Sequence, residues 1–218
     1  MRNFILTTLN ALFPDPQPSL VGWSTSFQLL IAILLSGNST DKSVNRVIPQ
    51  LFSAAPDAQA MANLSLKKLY MFIAPCGLGK RKTSYIHELS EILMRDYHGE
   101  PPKNMQLLMQ LPGVGRKTAS VFLGIAYGAP TFPVDTHILR LARRWKISEK
   151  KSPSAVEKDL VRFFGDTNTP KLHLQLIHYA RKFCPARHHK INDCPLCTFI
   201  KQHGCNTPQN PEHILKHC

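Results

Sequence analysis

A glycine-containing turn between two helical segments constrains this chain of 218 residues more than any other stretch. The turn reads LPGVG over residues 111–115, and Arg116, Lys117 and an apolar run follow it directly. Pro112 has no N–H group and ends the helix before it, whereas the two glycines permit positive φ and close approach of a partner. The sequence therefore predicts a helix–hairpin–helix whose second helix starts near Gly115.

The start of that second helix is a natural site for an anion. Its first N–H groups have no partner within the helix, and the helix dipole is positive at this end. An exposed interhelical turn is the alternative interpretation. The charge balance favours the anion, because 27 Lys and Arg against 14 Asp and Glu give a net charge of +13, which is typical of proteins with a polyanionic partner. The residues expected to contact phosphate are Leu111, Gly113, Val114, Gly115 and Arg116.

Cysteines form the second notable pattern. Four of the six lie within the 22 residues 184–205, with gaps of nine, two and seven residues between them: Cys184, Cys194, Cys197 and Cys205. The N-terminal residues do not have the pattern of a signal peptide, so we expect a cytosolic protein, in which such clustering favours metal binding over disulfides. Four thiolates in one loop can hold a tetrahedral zinc ion or a [4Fe–4S] cluster, and spacing alone does not choose between them.

The rest of the chain shows helical patterns and no strand periodicity of useful length, so the predicted fold class is all-α. The most apolar run, Phe27–Leu35, is too short to cross a bilayer, which needs about 20 residues. An N-terminal helix over Phe4–Phe13 is expected to pack on the C-terminal part. Further helices are predicted at 27–35, 42–52, 58–62, 66–73, 85–97, 104–110, 135–145, 155–164 and 172–183.

Two strings carry a resemblance to a known family. LPGVGRKTAS, from residue 111, and VDTHILRLARR, from residue 134, resemble the helix-hairpin-helix motif and the catalytic aspartate segment of the endonuclease III family of DNA glycosylases. The resemblance implies an enzyme that removes oxidised pyrimidines from double-stranded DNA and cuts 3′ to the abasic site by β-elimination. It assigns Lys117 as the nucleophile that forms a Schiff base, and Asp135 as the carboxylate that stabilises the developing cation or assists proton transfer. Asp135 is equally suited to cap a helix.

The same resemblance suggests further contacts with DNA. Asn38, in the string LLSGNSTDKSVN, stands where the family commonly has a glutamine that enters the duplex beside the lesion. Leu78 matches a leucine that fills the space left by the flipped base. A polar interhelical turn and an ordinary exposed leucine are the alternatives. Lys82, Arg140 and Arg187 lie on basic stretches that we expect to contact DNA.

The resemblance also selects one [4Fe–4S] cluster for the four cysteines, although the first and third gaps are longer than is usual in the family. It implies two helical domains with a DNA-binding cleft between them. Residues 20–130 form a six-helix barrel with the helix-hairpin-helix at about 107–126, and residues 1–19 with 131–218 form a domain that ends in the cluster loop 184–205. We expect a cytoplasmic monomer, associated with the nucleoid if bacterial, that has no membrane partner.

Two other functions compete with this prediction. A monofunctional mismatch glycosylase, specific for adenine or thymine, has the same fold but lacks a lysine at the position of Lys117. A non-catalytic DNA-binding module uses the hairpin for phosphate contact alone. Asp135 at the family's spacing argues against the second alternative, and removal of a damaged base would exclude it.

Overall fold

The computed structural model of the chain describes residues 1–129, 131–165, 167 and 169–203. Every regular element in these residues is helical, which confirms the all-α prediction for the described part. A short 3-10 helix, Ile191–Asp193, precedes the last α-helix. The α-helices, in chain order, are α1 (Arg2–Leu12), α2 (Ser26–Ser36), α3 (Asp41–Ala54), α4 (Ala58–Ala62), α5 (Leu66–Ile73), α6 (Gly79–Tyr97), α7 (Met105–Leu108), α8 (Arg116–Tyr127), α9 (Thr136–Arg144), α10 (Pro153–Phe164), α11 (Thr169–Lys182) and α12 (Pro195–Gln202).

The chain folds into two compact units, of which one is Pro18–Ala129. This unit is built around α2, because all nine residues from Phe27 to Leu35 are buried. A helix that is apolar on every face is stable only when other elements cover it on all sides. Helices α3, α6 and α8 provide that cover. The prediction of a helix at 27–35 is confirmed.

The other unit contains residues 1–17 and the described residues from 131 onward. Ile5 and Leu9 of α1 lie in the same core as Trp145 and Tyr179, and all four side chains are buried. Helix α1 packs against α11. The N-terminal helix therefore joins the C-terminal part of the chain, as predicted from the sequence.

The prediction for α6 is wrong at its start, because the helix begins at Gly79 rather than at Tyr85. Its first turns hold two buried polar residues, Lys82 and Thr83, and the Thr83 hydroxyl donates to the Gly79 carbonyl at 2.9 Å. Their basic and polar sequence indicated an exposed turn. The sequence does not reveal the burial of these two side chains, which accompanies the earlier start of the helix.

Among the described residues, none of the helices has the length and hydropathy that a membrane span requires.

Candidate nucleic-acid interface and cysteine site

The hairpin between α7 and α8 has the geometry that its glycines indicated. Gly113 has φ of +75°, a conformation that residues with a side chain rarely adopt. A Cβ at this position would also lie 2.7 Å from the Tyr85 ring. The turn is closed by the Val114 amide, which donates to the Leu111 carbonyl at 3.1 Å. Gly113 is therefore required by the fold itself.

Gly115 is different, because the fold does not require it. Its φ is −85°, and nothing lies within 4 Å of the position that a Cβ would occupy. Gly115 is the N-cap of α8 and has no side chain with which to bind the first amides of that helix. The open space beside these amides is therefore available to an external group.

Helix starts in the Pro18–Ala129 unit fall into two kinds. Most of its helices begin with a side chain that accepts a hydrogen bond from a first-turn amide: Thr25, Thr40, Asp57, Ser65 and Asn104. Helices α6 and α8 instead begin at Leu78 and Gly115, which provide no such acceptor. An uncapped helix start attracts an anion through its free N–H groups and the helix dipole.

Both of these helix starts line the same pocket. It has a volume of about 500 Å³ and is bordered by the turn after α2, the first half of α6 and the hairpin before α8. Asn38, Leu78 and Gly115 are among its lining residues. The structure thus brings together three segments that the sequence selected separately. Lys117 lies beside the hairpin, exposed, as the second residue of α8.

Asn38 and Leu78 are exposed and have unusual backbone conformations. Their φ angles are +53° and +60°, in the left-handed region, which asparagine adopts more readily than leucine. Leu78 is 54% exposed, so no burial of its side chain compensates for this strain. Strain of this kind is concentrated at functional sites. Insertion of either side chain into DNA stays a prediction.

Lys82 lies inside the protein, although its sequence context indicated a surface position. Its side chain is 5% exposed, and Nζ donates to the Leu35 carbonyl at 2.6 Å and to Ser39 Oγ at 2.8 Å. Burial lowers the pKa of Lys82, and the neighbouring Cys76 partly opposes that shift. The ammonium is thus bound by the protein itself, and direct contact with DNA stays a prediction.

Asp135 caps helix α9, because its Oδ1 accepts a hydrogen bond from the Ile138 amide at 2.8 Å. The carboxylate is partly exposed. The structural role that the sequence suggested is therefore confirmed, and a single oxygen performs it. Any catalytic use of the carboxylate is additional to this hydrogen bond.

The arginines of α9 hold the segment that follows α11. Arg140 Nε donates to the Cys184 carbonyl at 3.0 Å, and Arg144 Nη1 donates to the Pro185 carbonyl at 2.7 Å. Cations at a helix C-terminus satisfy carbonyls that lack intrahelical partners. These guanidinium groups therefore position Cys184. Contact of Arg140 with DNA stays a prediction, as it does for the exposed Arg187.

Three of the four predicted metal ligands come together, and a histidine joins them. One ligand atom from each of Cys184, His189, Cys194 and Cys197 lies within 4.8 Å of the others. The Cys184 and Cys197 sulfurs are 3.9 Å apart. His189 Nε2 is buried and has no hydrogen-bond partner among the described residues. Cys205 lies outside the described residues.

Polar groups lie within hydrogen-bond distance of two of these sulfurs. Arg144 Nη1 donates to Cys184 Sγ at 3.2 Å, and the Tyr179 hydroxyl lies 3.2 Å from Cys194 Sγ. Hydrogen bonds from the Cys184 and Cys197 thiols lower the pKa of Cys194, whereas hydrogen bonding among the same three thiols raises the pKa of Cys184 and of Cys197. Metals bind cysteine as the thiolate. The donor set therefore suits iron–sulfur or zinc ligation.

His189 is the residue that sequence reasoning missed. The sequence places His189 beside the basic residues Arg187 and Lys190, a setting that indicates a surface loop and not a metal site. The available signals were its position in the unusually long gap between Cys184 and Cys194 and the frequency of histidine as a metal ligand.

Comparison with known proteins agrees with this arrangement. Residues 31–165 match the model of the HhH-GPD superfamily of base excision DNA repair proteins. Endonuclease III of Bacillus subtilis strain 168 is 36% identical over 200 residues, which are 91% of each chain. The chain belongs to the endonuclease III family. This membership confirms the resemblance, and it identifies the chain as a base excision DNA repair enzyme of a DNA glycosylase and abasic-site lyase family.

Solved structures show the same fold. A trapped endonuclease III–DNA covalent intermediate has a TM-score of 0.83 at 34% identity, with 90% of this chain and 93% of that chain covered. A thermostable thymine-DNA glycosylase has a TM-score of 0.80 at 19% identity, with 89% and 93% covered. The second likeness concerns the fold alone, so it does not support the mismatch-glycosylase alternative.

Proposed function

We propose that this endonuclease III family member excises oxidised pyrimidines from double-stranded DNA and cuts the strand 3′ to the resulting abasic site, with Lys117 as the nucleophile. The observation that carries the proposal is the position of Lys117. It is exposed in the first turn of the uncapped helix α8, directly after a hairpin that borders the same pocket as Asn38 and Leu78. A related protein has been solved as a covalent intermediate with DNA.

The chemistry begins when the damaged nucleotide leaves the base stack, because the sugar is otherwise out of reach. The neutral amine of Lys117 attacks C1′, the glycosidic bond breaks, and the base leaves with the electron pair. The sugar ring opens to give an iminium between Lys117 Nζ and C1′. The iminium acidifies C2′, so a base removes a C2′ proton and the C3′–O bond breaks. Water then hydrolyses the imine and releases the lysine.

The other predicted residues have supporting roles in this proposal. The carboxylate of Asp135 stabilises positive charge on the sugar or assists proton transfer while it caps α9. The amides of the hairpin and of the α8 start bind a backbone phosphate, and Arg116 adds charge there. Asn38 and Leu78 enter the duplex beside the lesion.

The overall function is tested with a duplex that contains a single thymine glycol. We expect release of the damaged base together with strand cleavage on the 3′ side. Base release without cleavage would support the monofunctional alternative. Binding without either reaction would support the DNA-binding module.

The two hairpin glycines give a matched pair of substitutions. Gly113→Ala is expected to destabilise the protein by about 1–3 kcal/mol, because it forces an alanine into positive φ and against Tyr85. Gly115→Ala is expected to cost less than about 1 kcal/mol, since its methyl group enters open space. That methyl group would occupy the space of the phosphate, so affinity for duplex DNA should fall about tenfold.

Urea unfolding and fluorescence anisotropy measure these two effects separately. A Gly115→Ala protein that binds DNA as tightly as the wild type would contradict the proposed phosphate contact at the start of α8.

We further propose that Cys184, Cys194, Cys197 and Cys205 hold one [4Fe–4S] cluster. The three described thiols converge beside an arginine and a tyrosine hydroxyl, a setting that favours thiolate ligands. The bound cluster would stabilise the segment that contains these four cysteines by linking them to one another. A single zinc ion is the second candidate, because tetrahedral Zn–S bonds of ~2.3 Å place two sulfurs about 3.8 Å apart. The Cys184–Cys197 distance is close to this value.

Metal analysis of the purified protein decides between these candidates. We expect equal amounts of iron and acid-labile sulfide, and their loss in Cys205→Ser but not in His189→Ala. Zinc without sulfide would establish the single-ion site. Loss of metal in His189→Ala, with retention in Cys205→Ser, would make His189 the fourth ligand.

A further inference from the structure

Two turns of the Pro18–Ala129 unit need firm support if they are to open a duplex. Asn38 lies in the turn between α2 and α3, and Leu78 immediately precedes α6. Both residues have left-handed backbone conformations, and that of Leu78 persists only where the surrounding structure holds it. The residues that contact these turns therefore determine whether the Asn38 and Leu78 side chains keep their positions when they enter the duplex.

The two turns are in direct backbone contact. A Cβ built on Gly77 would lie 1.9 Å from the Asn38 carbonyl oxygen, so only a glycine permits this approach. The Gly77 amide donates to Ser39 Oγ at 3.0 Å. The residue before Leu78 is thus bound to the residue after Asn38.

A buried ammonium joins both turns to the end of α2. Lys82 Nζ donates to Ser39 Oγ and also to the carbonyl of Leu35, in the last turn of α2. Carbonyls in a last turn lack intrahelical partners and lie at the negative end of the helix dipole, so a cation is favourable there. The Cys76 thiol is also buried, and burial raises its pKa, while Lys82 and Ser39 partly oppose that shift.

Support for the fold alone is a weaker explanation for this lysine. Burial of an ammonium is costly, and an apolar side chain of similar volume generally fills such a space at least as well. The ammonium instead holds two distant segments in a fixed arrangement, because it donates at the same time to Leu35 and Ser39, which are 47 and 43 residues away in the chain. One side chain of α6 thereby fixes the turn that carries Asn38.

We propose that Lys82 is a positioning residue that locks the Asn38 turn and the Leu78 turn into one rigid element for opening the base stack. The inference rests on the proposed function, because it presupposes that these turns enter DNA. In this role Lys82 acts through Ser39 and Leu35, and not through the contact with DNA that its sequence context predicted. Its loss should therefore impair extrusion of a damaged base more than the chemistry at Lys117.

The test compares two substrates that differ in their need for extrusion. One is a duplex with thymine glycol, and the other is a single-stranded oligonucleotide with a ready-made abasic site, which has no base to remove. For Lys82→Met, we expect the single-turnover rate on the duplex to fall about 10-fold to 100-fold, with little change on the single strand. Ser39→Ala should give a smaller loss in the same direction, about threefold to tenfold. Lys68→Met, which removes an exposed lysine of α5, is the charge-matched control.

Unfolding midpoints are measured for each variant, and Ser39→Ala carries the test if Lys82→Met does not fold. Equal loss on both substrates, or no loss on either, would overturn the positioning role and leave Lys82 as a contributor to stability. A wild-type protein that processes neither substrate would instead contradict the proposed function, so the two failures are distinguishable.

Discussion

Replacement of Lys117 by alanine is expected to abolish the covalent adduct that borohydride traps between the wild-type protein and a duplex with thymine glycol. The adduct is the reduced iminium between Lys117 Nζ and C1′, so it cannot form without the amine. Base removal should fall by at least about a thousandfold, as is typical when a nucleophile is deleted. The fold should be unaffected, because Lys117 is exposed and a cation in the first turn of a helix opposes the helix dipole.

The chain offers a closely matched control in Lys80→Ala. Lys80 is exposed and is the second residue of α6, as Lys117 is the second residue of α8. Its removal deletes the same charge from the same helical position, at the other uncapped helix start. Lys80→Ala should still trap DNA. Trapping by Lys117→Ala would show that another amine is the nucleophile, and base removal without trapping in the wild type would indicate a monofunctional glycosylase.

Features that depend on local sequence were predicted well. The uninterrupted apolar run Phe27–Leu35 specifies a helix buried on all sides, and the structure confirms it. The positive φ of Gly113 and the cap by Asp135 follow from residue types that favour those conformations. Each of these features depends on residues of the segment itself or on the general tendency of apolar side chains to be buried away from water.

Features that depend on distant partners were not predicted. The basic string around Lys82 resembles an exposed surface, and its burial follows from acceptors that the sequence places far away, at Leu35 and Ser39. The spacing of Arg140 and Arg144 indicates a shared helix face. It does not reveal that this face meets the end of α11. His189 likewise joins the cysteines through a loop conformation that no local pattern specifies.

Asp135 offers the second large effect, and its two roles can be separated by choice of substitution. Asparagine keeps a side-chain oxygen that can accept from the Ile138 amide, but it has no charge. We expect Asp135→Asn to lose about 10²–10³ in the rate of base excision, the usual consequence of removing one electrostatic contribution to a transition state. Its unfolding free energy should stay within about 0.5 kcal/mol of the wild type.

Asp135→Ala removes the cap as well as the charge, so it should show a similar kinetic loss with about 1 kcal/mol of added destabilisation. Single-turnover kinetics and urea unfolding therefore measure the rate of base excision and the free energy of unfolding separately for each variant. If the carboxylate served only as a cap, Asp135→Asn would be active and stable, and activity would fall only in Asp135→Ala, in step with stability. If Asp135→Asn is as stable as the wild type but slow, the negative charge itself contributes to catalysis. The hydrogen bond that caps α9 is still present in that variant, so its loss cannot explain the slower reaction.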